Sequence, residues 1–323
     1  MEEKLLKNKL GKTDLLVTPL CWGCAPLGNM PEDFGYGVPE EQALRTLAEA
    51  FNGPVNFFDT ARIYGDSELR IGKALQARGG QPEGVIIATK ADRNTVNNEF
   101  SAKQMRESIE ESLQRLQVDS LPLVYLHDPE HDPRYQKDKN KFIEAILAKG
   151  GAVEELEKLK EEGLIQNIGI SGGPIDMLIE FIETKRFDVV LTHNRWNLIY
   201  QTAGPLLEKA HELRLGIVNA AIYASGILVT GTQKKSRFVY GEPSPTIVQR
   251  VRKLEEMCKK YNIPLGAAAL KFSLRDSRIH STVIGISNPE EIAEAQSFLD
   301  VSIPNEFWEE ADLFALKEGD PEM

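Results

Sequence analysis

Long apolar runs are missing from this chain. None approaches the ~20 residues that a membrane-spanning helix needs, and the acidic start Met1-Glu2-Glu3 lacks the pattern of a secretory signal. Cysteine is scarce: three residues, Cys21, Cys24 and Cys258, are an odd count that builds no disulfide framework and fits a reducing, cytoplasmic setting. Positive charge is in deficit, with 38 Lys and Arg against 49 Asp and Glu for a net charge of -11. That balance argues against nucleic acid or an anionic membrane as partner. No low-complexity tract, interdomain linker or long repeat interrupts the chain. No Gly-x-Gly-x-x-Gly follows the first strand, which weakens a doubly wound dinucleotide-binding fold. Oligomeric state is left open.

What is present is an alternation of buried-strand and amphipathic-helix signals over 323 residues. Residues 1–21 read as a β-hairpin with Gly-Lys-Thr-Asp at its turn, running into a first strand over Val17–Cys21. Continuous apolar runs follow at 84–89, 121–126, 165–171, 188–192, 215–220 and 281–284, the pattern of parallel strands covered on both faces. Helical spacing marks 40–51, 101–116, 152–161, 174–183, 204–212, 246–261, 265–274, 289–299 and a terminal helix at 304–316. The stretch 128–151 is polar, contains Asp-Pro twice, and reads as an insertion. Eight βα units in roughly 250 residues predict one (β/α)₈ TIM barrel domain over 1–323, α/β in class, with an N-terminal hairpin and a C-terminal helix.

Chemistry gathers where three successive strands end. Asp59 and Tyr64 follow the run Val55–Phe58, Lys90 ends the next, and His127 ends the one after. In a parallel barrel these ends converge on one face, where active sites are built. A free phenol titrates near ~10, too high for proton transfer at neutral pH, and a nearby ammonium lowers it. Lys90 is expected to do this to Tyr64, with Asp59 holding Lys90 and His127 binding a substrate oxygen. Each residue alone also reads as a polar strand end, a loop tyrosine or a surface lysine. Together they suit proton transfer to or from a carbonyl or alcohol oxygen, and hence hydride transfer with a cofactor.

The pieces Phe58-Asp59-Thr60-Ala61, Tyr64-Gly65-Asp66-Ser67-Glu68, Thr89-Lys90 and Leu126-His127 resemble the aldo-keto reductases over nearly the whole chain. The resemblance implies a catalytic tetrad of Asp59, Tyr64, Lys90 and His127 and a nicotinamide cofactor. It implies carboxamide contacts from Ser171, with Gly172 where the family has asparagine and His193 at a glutamine position. Ala220 stands at the nicotinamide-stacking tyrosine, so stacking is absent or comes from Trp22, Tyr223 or Trp196. Ser225, Gly226, Leu228 and Gly231 match the pyrophosphate loop, and Gly23 joins the cofactor set. Trp22, Tyr64 and His127 are expected to line the substrate pocket. The segments 20–29 and 225–228 are similar to the branch that oxidises aldoses at C1 to lactones with NAD. An NADPH-dependent reductase of aldehydes or ketones is the enzyme alternative, and a non-catalytic binding protein on the same fold the alternative of another class.

Cofactor choice rests on Gly285, Ser287 and Glu291. NADP-using members of the family carry a lysine and an arginine at the positions of Gly285 and Glu291 to grip the 2′-phosphate. Here both cations are gone, so NAD is expected over NADP unless Lys234, Lys235 or Arg237 reaches the phosphate. Asn288, Pro289 and Glu291 also read simply as a helix cap. Two motifs are set aside. His127-Asp128-Pro129-Glu130-His131 fits H-x-x-E-H, but that zinc motif works on a helix and Pro129 sits inside it, so no metal is expected. Cys21-Trp22-Gly23-Cys24 lacks the helix that a redox pair needs and reads as buried, inert thiols.

Overall fold

The computed structural model describes residues 5–233 and 237–321. A two-stranded antiparallel hairpin comes first, β1 (Asn8–Lys9) and β2 (Leu16–Val17). Eight parallel strands then close into a barrel in chain order: β3 (Leu20–Gly23), β4 (Phe57–Asp59), β5 (Ile86–Ala91), β6 (Leu123–His127), β7 (Ile168–Gly172), β8 (Val189–His193), β9 (Gly216–Ala220) and β10 (Ser281–Gly285), with β10 pairing back onto β3. Helices lie between the strands and around the barrel. The expected (β/α)₈ architecture with its hairpin is the one observed.

Side chains alternate across each strand, and this period of two decides what the barrel contains. Cys21, Phe57, Ile86, Ala88, Leu123, Tyr125, Val189, Leu191, Val218 and Val283 form the interior cluster. Trp22, Phe58, Ile87, Val124, Leu126, Ile168, Ile170, Val190, Ile217 and Ile284 belong to a separate layer packed against the helices. Tyr125 is the bulkiest interior side chain, and its register partner on β7 is Gly169. A Cβ at Gly169 would sit 2.4 Å from the Tyr125 ring, so the glycine makes room for the tyrosine. Leu10 and Val17 of the hairpin join the interior cluster, which plugs the N-terminal end of the barrel.

One local reading is corrected. Val17 does not open the first barrel strand; it closes the hairpin, and β3 begins at Leu20. The ladder breaks between them because the Thr18 N–H donates to the Asn56 side chain at 2.9 Å and Pro19 has no N–H to give. The polar insertion after β6 is partly helical. It contains helices Pro133–Lys137 and Lys139–Leu147, and the second buries Phe142, Ile143 and Ile146. Three apolar residues at i, i+1 and i+4 make one stripe, which the surrounding charge hides in the sequence. Among the described residues no helix is long and apolar enough to cross a membrane.

Candidate active site

The alternation that fills the barrel also selects what stands at its C-terminal rim. Continuing the inward phase of each strand by two residues gives Gly23, Asp59, Lys90, His127, Ser171, His193, Ala220 and Gly285, and all of them line one cleft of ≈ 2080 Å³. Tyr64 reaches the same cleft from the loop after β4, where its neighbour Gly65 has φ 51 and packs against Gly28. A Cβ at Gly65 would stand 2.3 Å from the Gly28 carbonyl oxygen, so the turn that presents Tyr64 needs a glycine there.

Asp59, Tyr64, Lys90 and His127 are brought together. The Lys90 Nζ donates to Asp59 Oδ1 at 2.6 Å and to the Thr60 carbonyl at 2.8 Å, and lies 4.6 Å from the Tyr64 ring centre. Tyr64 Oη and His127 Nε2 are 3.3 Å apart, with the rings edge to face. One part of the expectation is overturned: the Tyr64 phenol is not lowered but held well above its ordinary pKa. Burial is the main cause, followed by the Asp59 and Asp128 carboxylates. Lys90 spends its charge on Asp59 as well as on the ring.

Asp92 was missed in the sequence. Its buried carboxylate hydrogen-bonds His127 Nδ1 and accepts from the Ile63 N–H at 3.1 Å, while Ser108 Oγ accepts from the Asp92 N–H at 2.9 Å. A carboxylate against Nδ1 keeps the proton there and aims Nε2 at Tyr64. The same side chain pins the loop that carries Tyr64. Its only signal was a carboxylate two residues beyond Lys90, in the same inward phase. Glu68 gives a second brace: it accepts from Thr89 Oγ1 at 2.6 Å and pairs with Arg115 at 3.2 Å, fully buried beside the lysine strand.

A second polar group adjoins His127. Asp128 has φ 45, and this left-handed residue turns the chain so that Asp128 and Glu130 both face the cleft. Asp128 accepts from Ser171 Oγ at 3.1 Å and lies 3.7 Å from His127 Nε2 and 3.6 Å from His193 Nε2. Burial opposes its charge, but the His127 and His193 imidazoles outweigh it and hold its pKa well below the carboxylate range. Glu130 accepts from the Gly173 N–H at 2.6 Å, and its pKa is pushed up to about 7 by burial and then by the Asp128 charge. A carboxyl whose folded pKa lies above its unfolded one favours the fold in acid. That contribution is lost as pH rises through about 7. Glu130→Gln should therefore gain in melting temperature relative to wild type between about pH 5 and pH 8; a difference that does not change with pH contradicts this. No helix carries both His127 and His131, since residues 129–131 form a single 3-10 turn.

The expected cofactor residues divide. Gly23, Ser171, His193, Ala220, Ser225, Gly226, Gly285 and Glu291 line the cleft. Trp22 does not: it is fully buried in the outer layer because it stands in the outward phase of β3. Gly172 is also outward, and a Cβ there would meet Met177, Glu130 and Leu178. The Leu228 side chain packs into a satellite core, and Gly231 ends the short helix Ile227–Thr230 with φ 71. Ser287 is buried just behind the rim and donates to Glu291 through its N–H at 2.6 Å and its Oγ at 2.9 Å. Of the stacking candidates, Trp196 packs on Phe272 away from the cleft, leaving Tyr223 at its edge. Lys234 and Lys235 lie outside the described residues. Cys21, Cys24 and Cys258 are buried and free, with thiols raised by burial.

A parallel barrel whose rim joins a tyrosine, a lysine, a histidine and an aspartate defines a nicotinamide-dependent oxidoreductase. The aldo/keto reductase family matches residues 19–315, and the chain belongs to it. It is 28% identical to the pyridoxal 4-dehydrogenase of Microbacterium luteolum, over 94% of this chain and 95% of that one. It is 29% identical to the D-threo-aldose 1-dehydrogenase of a Pseudomonas species, over 92% and 93%. Identity to the L-galactose dehydrogenase of Arabidopsis thaliana is 30%, over 90% and 87%. Among solved structures, the aldo-keto reductase of Bacillus halodurans in its holo form superposes with a TM-score of 0.74 over 97% of each chain, at 21% identity.

Proposed function

We propose that this enzyme oxidises an aldose at C1 to the lactone with NAD, using Tyr64 as the base. The observation that carries the reading is the convergence of Tyr64 Oη and His127 Nε2, 3.3 Å apart, in a cleft that Asp128 and Glu130 also line. Two relatives whose names specify aldose or galactose dehydrogenation, at 29% and 30% identity, favour a sugar.

The rim fits a dinucleotide. Gly226 has φ 96, and nothing lies within 4 Å of where its Cβ would stand, so backbone there is open to a close-lying phosphate. Ser171 and His193 offer polar atoms toward a carboxamide, and Ser225, Gly226 and Glu291 would hold the rest. When bound, the nicotinamide supplies the hydride acceptor. The reacting hydroxyl oxygen sits against Tyr64 Oη and His127 Nε2. Tyr64 takes its proton as the C1 hydrogen departs with its electron pair, and a carbonyl forms. Lys90 favours the phenolate that this requires, and Asp59 and the Thr60 carbonyl hold Lys90 in place. Asp92 keeps the His127 ring turned so that Nε2 meets the oxygen. In reduction Tyr64 returns the proton.

The pH dependence follows from the raised phenol. Oxidation needs Tyr64 deprotonated, so its rate should climb with pH into the alkaline range. Reduction needs the proton and should fall there. Lys90→Met removes the ammonium that favours the phenolate and should move the climb to still higher pH. Initial rates under conditions where chemistry limits turnover check this; a flat profile would remove Tyr64 and Lys90 from the proposal. The substrate itself is tested by a panel of aldoses and simple aldehydes with all four nicotinamide forms. Turnover of no aldose with NAD defeats the aldose reading and leaves a carbonyl reductase.

A further inference from the structure

Tyr64 is carried by a loop, and one face of a helix outside the barrel grips that loop. Ser108, Glu111 and Arg115 stand at i, i+3 and i+7 of the helix Ala102–Leu116 and so project along the same side. Ser108 Oγ accepts from Arg62 Nε at 3.3 Å and from the Asp92 N–H at 2.9 Å. Glu111 pairs with Arg62 at 3.3 Å and with Arg115 at 3.5 Å. Arg115 donates through Nη2 to the Gly65 carbonyl, and its Nε lies 3.2 Å from the buried Glu68 carboxylate. Its backbone is close as well. A Cβ at Gly72 would stand 2.3 Å from the Arg115 carbonyl oxygen, so the helices Ser67–Ala77 and Ala102–Leu116 meet here backbone to backbone.

These contacts bracket Tyr64. Asp92 holds the Ile63 N–H on one side of it, and Arg115 holds the Gly65 carbonyl on the other. The second hold matters more, because a glycine is the most permissive residue a loop can carry and Gly65 has φ 51, in the left-handed region. Glu68, the partner of Arg115, accepts from Thr89 Oγ1 at 2.6 Å, next to Lys90. One guanidinium thereby ties the loop that carries the phenol to the strand that carries the ammonium. We propose that Arg115 is a positioning residue for proton transfer, setting Tyr64 Oη against the reacting oxygen through the Gly65 carbonyl and against Lys90 through Glu68. This deepens the reading of Tyr64 as the acid–base group and rests on it. Arg115 does not line the cleft, so it acts on the rate through geometry alone. A misplacement of about 1 Å at the reacting atoms costs on the order of 10²-fold.

Two variants test this. Arg115→Lys keeps a charge beside Glu68 but gives up the planar fork that reaches Gly65 as well. Arg115→Met combined with Glu68→Gln removes both charges, so no carboxylate is left buried alone. Each should lower kcat by about 10–100-fold, while KM and NAD affinity, read by fluorescence titration, stay near wild type. Rates are followed as NADH formation from the best aldose of the panel above, or as NADH consumption with glyceraldehyde if no aldose is oxidised. The deciding comparison places Arg115→Lys in the Tyr64→Phe background. A residue that acts only through the phenol has nothing left to position there, so the residual rate should fall no further; a residue that merely supports the fold costs the same factor in both backgrounds. Equal losses in the two backgrounds overturn the proposal, as does a wild-type kcat in Arg115→Lys, or a loss that appears in NAD affinity instead of kcat. If the lysine variant fails to fold, the charge-free pair decides by the same comparison. If neither folds, Arg115 serves stability and the proposal is overturned. Should Tyr64→Phe itself keep its rate, the acid–base reading fails and takes this one with it. If Tyr64→Phe is slow and Arg115→Lys is not, only the role of Arg115 is lost.

Discussion

Replacing Tyr64 by phenylalanine is expected to lower turnover by roughly 10²–10⁴-fold, the usual worth of a positioned acid–base group, with NAD affinity nearly unchanged. The reason lies in what the phenylalanine keeps. Its ring still packs edge to face on His127 and still lies beneath the Lys90 ammonium, so loop and neighbours stay in place. Only the oxygen 3.3 Å from His127 Nε2 is lost, and with it the route for the proton. Steady-state rates together with a fluorescence titration of cofactor separate chemistry from binding. A variant that keeps more than about a tenth of the wild-type rate would show that the proton travels another way, because acid–base catalysis worth that little is below the usual range.

The second large effect is cofactor choice. NAD should exceed NADP in kcat/KM by tens-fold or more, since two lost charge-assisted bonds are worth ~1.5–3 kcal/mol each. At the junction of β10 with the helix Pro289–Phe298, Asn288 caps the helix, accepting from the Glu291 N–H at 3.0 Å. Glu291 reaches back to the Ser287 N–H and Oγ, one residue earlier than in a capping box. Its carboxylate is thereby fixed at the cleft, where it would accept from a ribose hydroxyl and would repel a phosphate. Tyr36, from the loop after β3, feels the same charge: burial and then Glu291 raise its phenol. Arg237 is the described cation nearest in sequence to Lys234 and Lys235, and its Nη1 already donates to the carbonyls of Glu32, Asp33 and Tyr240 at 2.6–3.0 Å. Glu291→Arg should reverse the preference in part. Equal or better efficiency of the wild type with NADP would mean that a cation does reach the phosphate.

Much of the site was legible because strand ends are legible. An apolar run of four to six residues announces a strand covered on both faces, and the first polar residue at its end stands at the rim. That reasoning found Asp59, Lys90 and His127 from three successive runs, and Tyr64 from the glycine turn that follows the first. The hairpin, the barrel and most helices were legible for the same reason: their periodicities are local.

Phase and closure were not local. A run such as Leu20-Cys21-Trp22-Gly23 has no polar residue to show which side faces inward; the hydrogen-bond register with β4 and β10 decides it. That register buried Trp22 among the helices and left Gly23 at the rim, and it turned Gly172 outward while Ser171 faces in. Tertiary packing likewise set the Leu228 side chain into the satellite core. Asp92 acquired its partner only because β5 and β6 are neighbours, which sets its carboxylate against His127. Asp128 and Glu130 read as a polar insertion until the left-handed turn at Asp128 aimed both into the cleft. The sequence by itself determined the elements and the chemistry at the strand ends, because side-chain pattern and burial act over a few residues. Only the closed barrel decided which side chains meet, because a one-residue change of register reverses every side chain between interior and exterior.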